Sequence, residues 1–148
     1  MSRDYHPNNP NMYSYNVNSA GTIILGKLHK QFGASIHWDD YEQKLSDYYR
    51  SCGEYYYTWN TKFISDYQTC IKDAEILSKV SHKKIKIFQQ NVQCLFSGTF
   101  DEFLEFISSW IKFLNECNGY DTSPDPIKCL CLSCQQWRDS PEAKDFLD

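Results

Sequence analysis

The sequence predicts an all-α fold in which a single helical bundle follows a short N-terminal arm. Apolar residues recur at steps of three and four along most of the chain after residue 21, and only six glycines occur among 148 residues. No stretch alternates apolar and polar residues as a half-buried strand would. Residues 100–114 are apolar around most of a helix circumference, which is typical of a buried helix. We therefore expect a central apolar helix surrounded by amphipathic helices, in one domain.

The first 20 residues are interpreted as an irregular N-terminal arm. Asparagine, proline, tyrosine and serine dominate this segment, and it shows neither a helical nor a strand period. Such a segment cannot bury a core of its own, so we expect order in it only where another surface holds it. Residues 21–148 are assigned to the helical bundle domain.

The first two helices of the bundle carry clear apolar faces. In the first, Ile24, Leu28 and Phe32 share one side, and Gly33 can end the helix. The second begins near Asp39 or Asp40 and has a face rich in tyrosine, which suits a half-buried seam because the ring packs while the hydroxyl reaches an edge. Its members recur at three- and four-residue steps: Tyr41, Leu45, Tyr48, Cys52, Tyr55 and Trp59.

Later helices are expected from residue 61 onward, and their starts are marked by local capping signals. A third helix should span about residues 61–77. Thr99 followed by Glu102 forms a capping box that opens the apolar fifth helix. The other starts combine a capping side chain with, in two cases, a proline in the first turn: Ser81, Asp125 with Pro126, and Ser140 with Pro141.

Composition argues against several classes of function. The net charge of −4 does not favour nucleic-acid binding through a basic face. We expect no signal peptide and no membrane span. Seven cysteines, an odd number, favour free thiols in a reducing compartment. Cys52 is a candidate nucleophile, but none of the four histidines has a motif that would make it the base, so the protein is not expected to be an enzyme.

Three closely spaced cysteines are the most metal-like feature of the chain. Cys129, Cys131 and Cys134 could bind zinc, but a structural zinc site needs four ligands and no fourth ligand lies nearby. Cys117, the nearest other candidate, precedes them by twelve residues. The favoured interpretation is a core helix in which free cysteines act as small apolar residues. We therefore expect no cofactor, with zinc at these three cysteines as the alternative.

One segment resembles the adenovirus small T antigen of the early 1B region, a family of Bcl-2-like suppressors of apoptosis. The resemblance is carried by Asp40 and Tyr41, then by Arg-Ser-Cys-Gly-Glu at residues 50–54, and then by Asn60. Shorter matches follow further along the chain: Tyr67-Gln68, Ile71-Lys72, residues 103–107 and Trp137-Arg138. The resemblance implies a viral early protein of the host cytoplasm or nucleus that suppresses apoptosis by binding pro-apoptotic helices of the host.

Such a protein would bind its partner helix in an apolar groove. The residues expected to line the groove are Tyr48, Cys52, Tyr55, Tyr56, Trp59, Gly98, Phe103 and Ile107. The family has an arginine just before its buried helix, and here that region reads Ser97-Gly98-Thr99. In the family this arginine pairs with a carboxylate of the bound helix. Removing one member of such a buried ion pair costs about 2–5 kcal/mol, so the fold could be retained while the protein that it binds differs.

The missing arginine leads to an alternative function. The chain could be a minor capsid or cement protein of an adenovirus virion, with the arm held by neighbouring coat proteins. Both interpretations describe a non-enzymatic domain that binds protein rather than nucleic acid.

Overall fold

The computed structural model describes residues 2–35 and 63–147. These residues form six helices: α1 Ser19–Phe32, α2 Tyr67–Ser78, α3 His82–Asn91, α4 Phe100–Glu116, α5 Leu132–Arg138 and α6 Pro141–Leu147. They also form four strands: β1 Ser2–Pro7, β2 Tyr15–Asn18, β3 Ile64–Ser65 and β4 Tyr120–Asp121. The prediction of an all-α, Bcl-2-like bundle is therefore wrong, because the described chain combines helices with a sheet.

The sheet is antiparallel and its strands lie in the order β2-β1-β4-β3. Tyr5 pairs with Tyr15 across β1 and β2, and His6 pairs with Asp121 across β1 and β4. The arm, predicted to be irregular, thus supplies two strands. The pattern of β1 does not indicate a strand because its inward positions are Arg3, Tyr5 and Pro7, which do not form the apolar alternation expected of one.

The core lies between the sheet and helices α1 to α4. The Trp110 ring of α4 lies 5.0 Å from the Tyr5 ring of β1 and 6.0 Å from the Tyr120 ring of β4, measured between centroids. Helix α4 buries one face, formed by Phe103, Ile107, Trp110, Phe113 and Leu114. Its opposite face is exposed, so α4 is amphipathic and the prediction of a helix buried all round is wrong.

Local capping signals did predict several helix boundaries. Gly33 ends α1 in the left-handed region with φ 78°, and Ser81 caps α3. The capping box of Thr99 and Glu102 opens α4, and its hydrogen bonds lower the pKa of the Glu102 carboxyl. None of the helices in the described ranges is long and apolar enough to cross a membrane. The predicted tyrosine-rich helix lies in residues 36–62, outside the described residues.

Candidate metal centre

The three closely spaced cysteines lie on a loop and at the start of α5, rather than on the face of one helix. The predicted start at Asp125 gives only a turn, in which Lys128 and Cys129 donate their backbone N–H groups to the Asp125 carbonyl. The helix begins later, with Cys131 as its N-cap. The Cys131 Sγ accepts a hydrogen bond from the Cys134 backbone nitrogen at 3.4 Å. Because Cys129 precedes the helix, the three thiols can converge.

A fourth donor comes from the other end of the chain. The Nδ1 atom of His6 lies 3.4 Å from Cys131 Sγ and 3.5 Å from Cys134 Sγ. The Cys129 and Cys131 sulfurs are 3.5 Å apart. One ligand atom from each of these four residues lies within 4.8 Å of all the others. Because His6 belongs to β1, in the middle of the sheet, the sheet fixes where the imidazole is presented.

The three separations of 3.4–3.5 Å are close to the edges of a zinc coordination tetrahedron, and the others are within 4.8 Å. Bonds of about 2.3 Å to sulfur and about 2.0–2.1 Å to nitrogen place neighbouring ligand atoms roughly 3.5–3.8 Å apart. The donor set, three cysteines and one histidine, is one that structural zinc sites use. The cluster of His6, Cys129, Cys131 and Cys134, called the metal centre below, therefore has the geometry and chemistry to hold one zinc ion.

The surroundings of the metal centre affect the protonation of its candidate ligands. Cys131 and Cys134 are buried, and His6 and Cys129 are half-buried. Burial lowers the pKa of His6, although Asp4 and Asp121 act in the opposite direction. The neutral imidazole that results is the form that binds metal. Burial raises the pKa of Cys129 and Cys134, so a bound cation would have to displace thiol protons, as zinc does.

Side chains of α5 hold the ligand loop in place. Arg138 Nη1 donates to the carbonyls of Cys129 at 2.7 Å and Pro126 at 2.8 Å. Gln135 Nε2 donates to the carbonyl of Leu130 at 2.7 Å and to that of Pro10 at 3.0 Å. These bonds hold the backbone on both sides of the ligand residues. Metal sites depend on such supporting hydrogen bonds to orient their ligands.

Three of the residues predicted to line a groove lie in the described chain, and two of these three are buried in the core. Phe103 is 0% exposed and Ile107 is 2% exposed, and both belong to the main core. Gly98 precedes α4, and its carbonyl accepts a hydrogen bond from Gln89 Nε2 at 3.4 Å. The other predicted groove residues lie outside the described residues: Tyr48, Cys52, Tyr55, Tyr56 and Trp59.

A second polar cluster is buried inside the core. Trp110 Nε1 donates to His29 Nε2 at 3.0 Å, so the proton of the neutral imidazole is on Nδ1, 3.2 Å from the Ser35 carbonyl. Asp73 accepts the Ser35 backbone N–H at 2.9 Å and lies 3.8 Å from His29 Nδ1. Because His29 is 0% exposed and Asp73 is 3% exposed, we assign this cluster to the packing of α1, α2 and α4.

Comparison with protein-family models, curated proteins and solved structures finds no match. Spacing in the sequence identifies the three cysteines as candidate ligands but not His6. No local signal points to His6, because 125 residues separate it from Cys131 and it lies in a segment interpreted as irregular.

Proposed function

We propose that the protein is a non-enzymatic zinc-binding domain in which the ion is structural. The observation that carries the proposal is the convergence of four ligand atoms, from two ends of the chain, within 4.8 Å. Catalytic zinc sites keep a position open for water or substrate beside three protein ligands. Four protein donors would leave no such position, so the ion would join the segments that carry its ligands rather than perform chemistry.

We propose that the domain acts by binding another protein. In residues 124–147, which include three of the four candidate ligands, Ile127 is 51% exposed, Leu130 is 56% exposed and Phe146 is 73% exposed. Large apolar side chains that a fold leaves in water are common at protein contacts, although single ones are also ordinary on surfaces. A zinc-held loop would present Ile127 and Leu130 on a fixed backbone.

Two partners are expected from the sequence, and their support differs. Binding of a pro-apoptotic host helix depends on the motif residues of the resemblance alone, since the described chain is not the all-α bundle that the resemblance implies. The virion alternative depends on the missing arginine and on an arm held by coat proteins. The argument from the arm is lost because the arm forms β1 and β2 and packs Tyr5 into the core of its own chain.

Metal analysis of the purified chain tests the proposal. We expect about one zinc ion per chain, and cobalt in its place should give the absorption bands of tetrahedral thiolate coordination. His6→Gln should weaken zinc binding by more than about 100-fold, because it removes a ligand rather than a supporting contact. His82→Gln is the matched control, since His82 is exposed at the start of α3. Circular dichroism should show that both variants fold.

Two outcomes would count against the proposal. One is a wild-type chain that binds no zinc under reducing conditions. The other is a folded His6→Gln variant that binds zinc as tightly as the His82→Gln variant, which would remove the fourth ligand from the proposed site.

A further inference from the structure

Residues 124–147, called the C-terminal unit, have little core of their own. Among the side chains that the structure describes in this unit, three are buried: Cys131, Cys134 and Ala143. None of the three belongs to the main core cluster. The unit contains two seven-residue helices, α5 and α6, and helices of that length are not stable by themselves in water. Two of its three buried side chains are ligands of the proposed metal centre.

The hydrogen bonds that attach the C-terminal unit reach a short stretch of the arm. Leu132 donates its backbone N–H to the Met12 carbonyl at 2.8 Å, and Ser133 Oγ accepts from the Ser14 backbone at 2.9 Å. Gln136 Nε2 donates to the Tyr13 hydroxyl at 2.7 Å. Several of these groups are exposed, so water competes for the bonds. The metal centre also connects the C-terminal unit to this arm, because His6 belongs to the arm. Its residues are the most buried part of the contact between the two.

The arm is anchored independently of the C-terminal unit. Tyr5 and Val17 are buried in the main core, and β1 is paired with β2 on one side and β4 on the other. Loss of metal should therefore leave the arm in place. The contact that fails first should be the one between residues 6–14 and the C-terminal unit.

We infer that zinc occupancy controls whether the C-terminal unit is docked on the arm, while the sheet and helices α1 to α4 stay folded in both states. This inference rests on the proposed zinc site. With zinc bound, the unit covers Met12 and Ser14 and holds Ile127 and Leu130 on an ordered loop. Without zinc, the unit detaches and that arrangement is lost, so zinc supply would regulate any contact made through this face.

Hydrogen–deuterium exchange on the full chain, with zinc and after treatment with a chelator under reducing conditions, tests this regulation. On metal removal, amides of α5 and α6 should exchange faster by at least about ten-fold. Amides of α2 and α4 should change by less than about two-fold. Equal loss of protection in α2 and α4 would show that the ion holds the whole fold, and unchanged exchange in α5 would show that it does not hold the unit. Either result overturns the inference.

A matched pair of cysteine variants separates metal loss from effects of the chelator. Cys131→Ser, without chelator, should reproduce the exchange pattern of the metal-free protein. Cys94→Ser removes an exposed thiol outside the cluster and should keep the zinc-bound pattern. A Cys131→Ser chain with zinc-bound protection in α5 would contradict the inference. Zinc content measured on the same samples distinguishes the two failures: absence of zinc in the wild type defeats the proposed function, whereas bound zinc without an exchange response defeats the inference alone.

Discussion

Trp110 both packs its ring in the core and makes a buried hydrogen bond. Its ring is fully buried and stacks against Phe113 with centroids 5.5 Å apart, while its indole nitrogen donates to the buried His29. A buried ring nitrogen without a hydrogen-bond partner destabilises the folded state, because it has given up its hydrogen bonds to water without replacing them. The Trp110–His29 hydrogen bond therefore joins α4 to α1 and also selects one tautomer of His29.

We predict that Trp110→Phe lowers the free energy of unfolding by about 2 kcal/mol or more, because it removes this donor and leaves a cavity. Trp137→Phe is the control, since Trp137 is half-buried and packs near Phe146 in the C-terminal unit. Urea unfolding of the zinc-loaded chain measures both. A Trp110→Phe variant as stable as the Trp137→Phe variant would show that the Trp110–His29 hydrogen bond contributes nothing.

His6 marks the limit of sequence reasoning at the residue scale. Ligands that lie within one turn, such as Cys131 and Cys134, can be recognised from their spacing. His6 is separated from Cys131 by 125 residues, and only the pairing of β1 in the sheet brings it to the cysteines. The incomplete ligand set therefore favoured a core helix, although the structure places Cys129 outside any helix.

At the scale of elements, boundaries were predictable where the deciding contact is local. The caps at Ser81, Thr99 and Ser140 each use a hydrogen bond to a backbone group three residues away. The start of α5 was predicted at Asp125 and lies at Leu132, whose N–H bonds to Met12. The arm thus decides where the chain after Asp125 becomes helical. Strands β3 and β4 have two residues each, which is too short for any period.

Two glycines that follow helices allow a matched test of element junctions. Gly33 has φ 78° and open space where a Cβ atom would lie, so Gly33→Ala should lose about 1–2 kcal/mol to the left-handed conformation alone. At Gly119, φ is 93° and an added Cβ would lie 2.9 Å from the Ser65 carbonyl oxygen of β3. We predict that Gly119→Ala costs more than Gly33→Ala, because β3 must move as well. Thermal unfolding of both variants checks the order, and equal losses would contradict the crowding argument.

On the scale of the whole molecule, the arm is a part of the folded domain. Tyr5 is 0% exposed, with its ring edge-on to those of Trp110 and Tyr120 at 5.0 and 5.3 Å. Strand β1 also carries His6 to the metal centre. The segment with the least apolar periodicity therefore joins the main core to the C-terminal unit.

We predict that Tyr5→Ala lowers the free energy of unfolding by about 3–5 kcal/mol, as expected for a large ring removed from a core. Tyr13→Ala, on the same arm but at a side chain 55% exposed, should cost less than about 1 kcal/mol. Unfolding followed by tryptophan fluorescence and by circular dichroism should give the same midpoint for each variant. A small effect of Tyr5→Ala would mean that the arm is not needed for the fold.

The sequence by itself determined the features that depend on neighbours within about one helical turn. These are the end of α1 at Gly33 and the caps of α3, α4 and α6. The tertiary structure alone decided the sheet and the approach of His6 to the three cysteines. The physical reason is that β1 pairs with β4, and His6 meets Cys131, across more than a hundred residues. Contacts of that separation leave no period or spacing in the sequence.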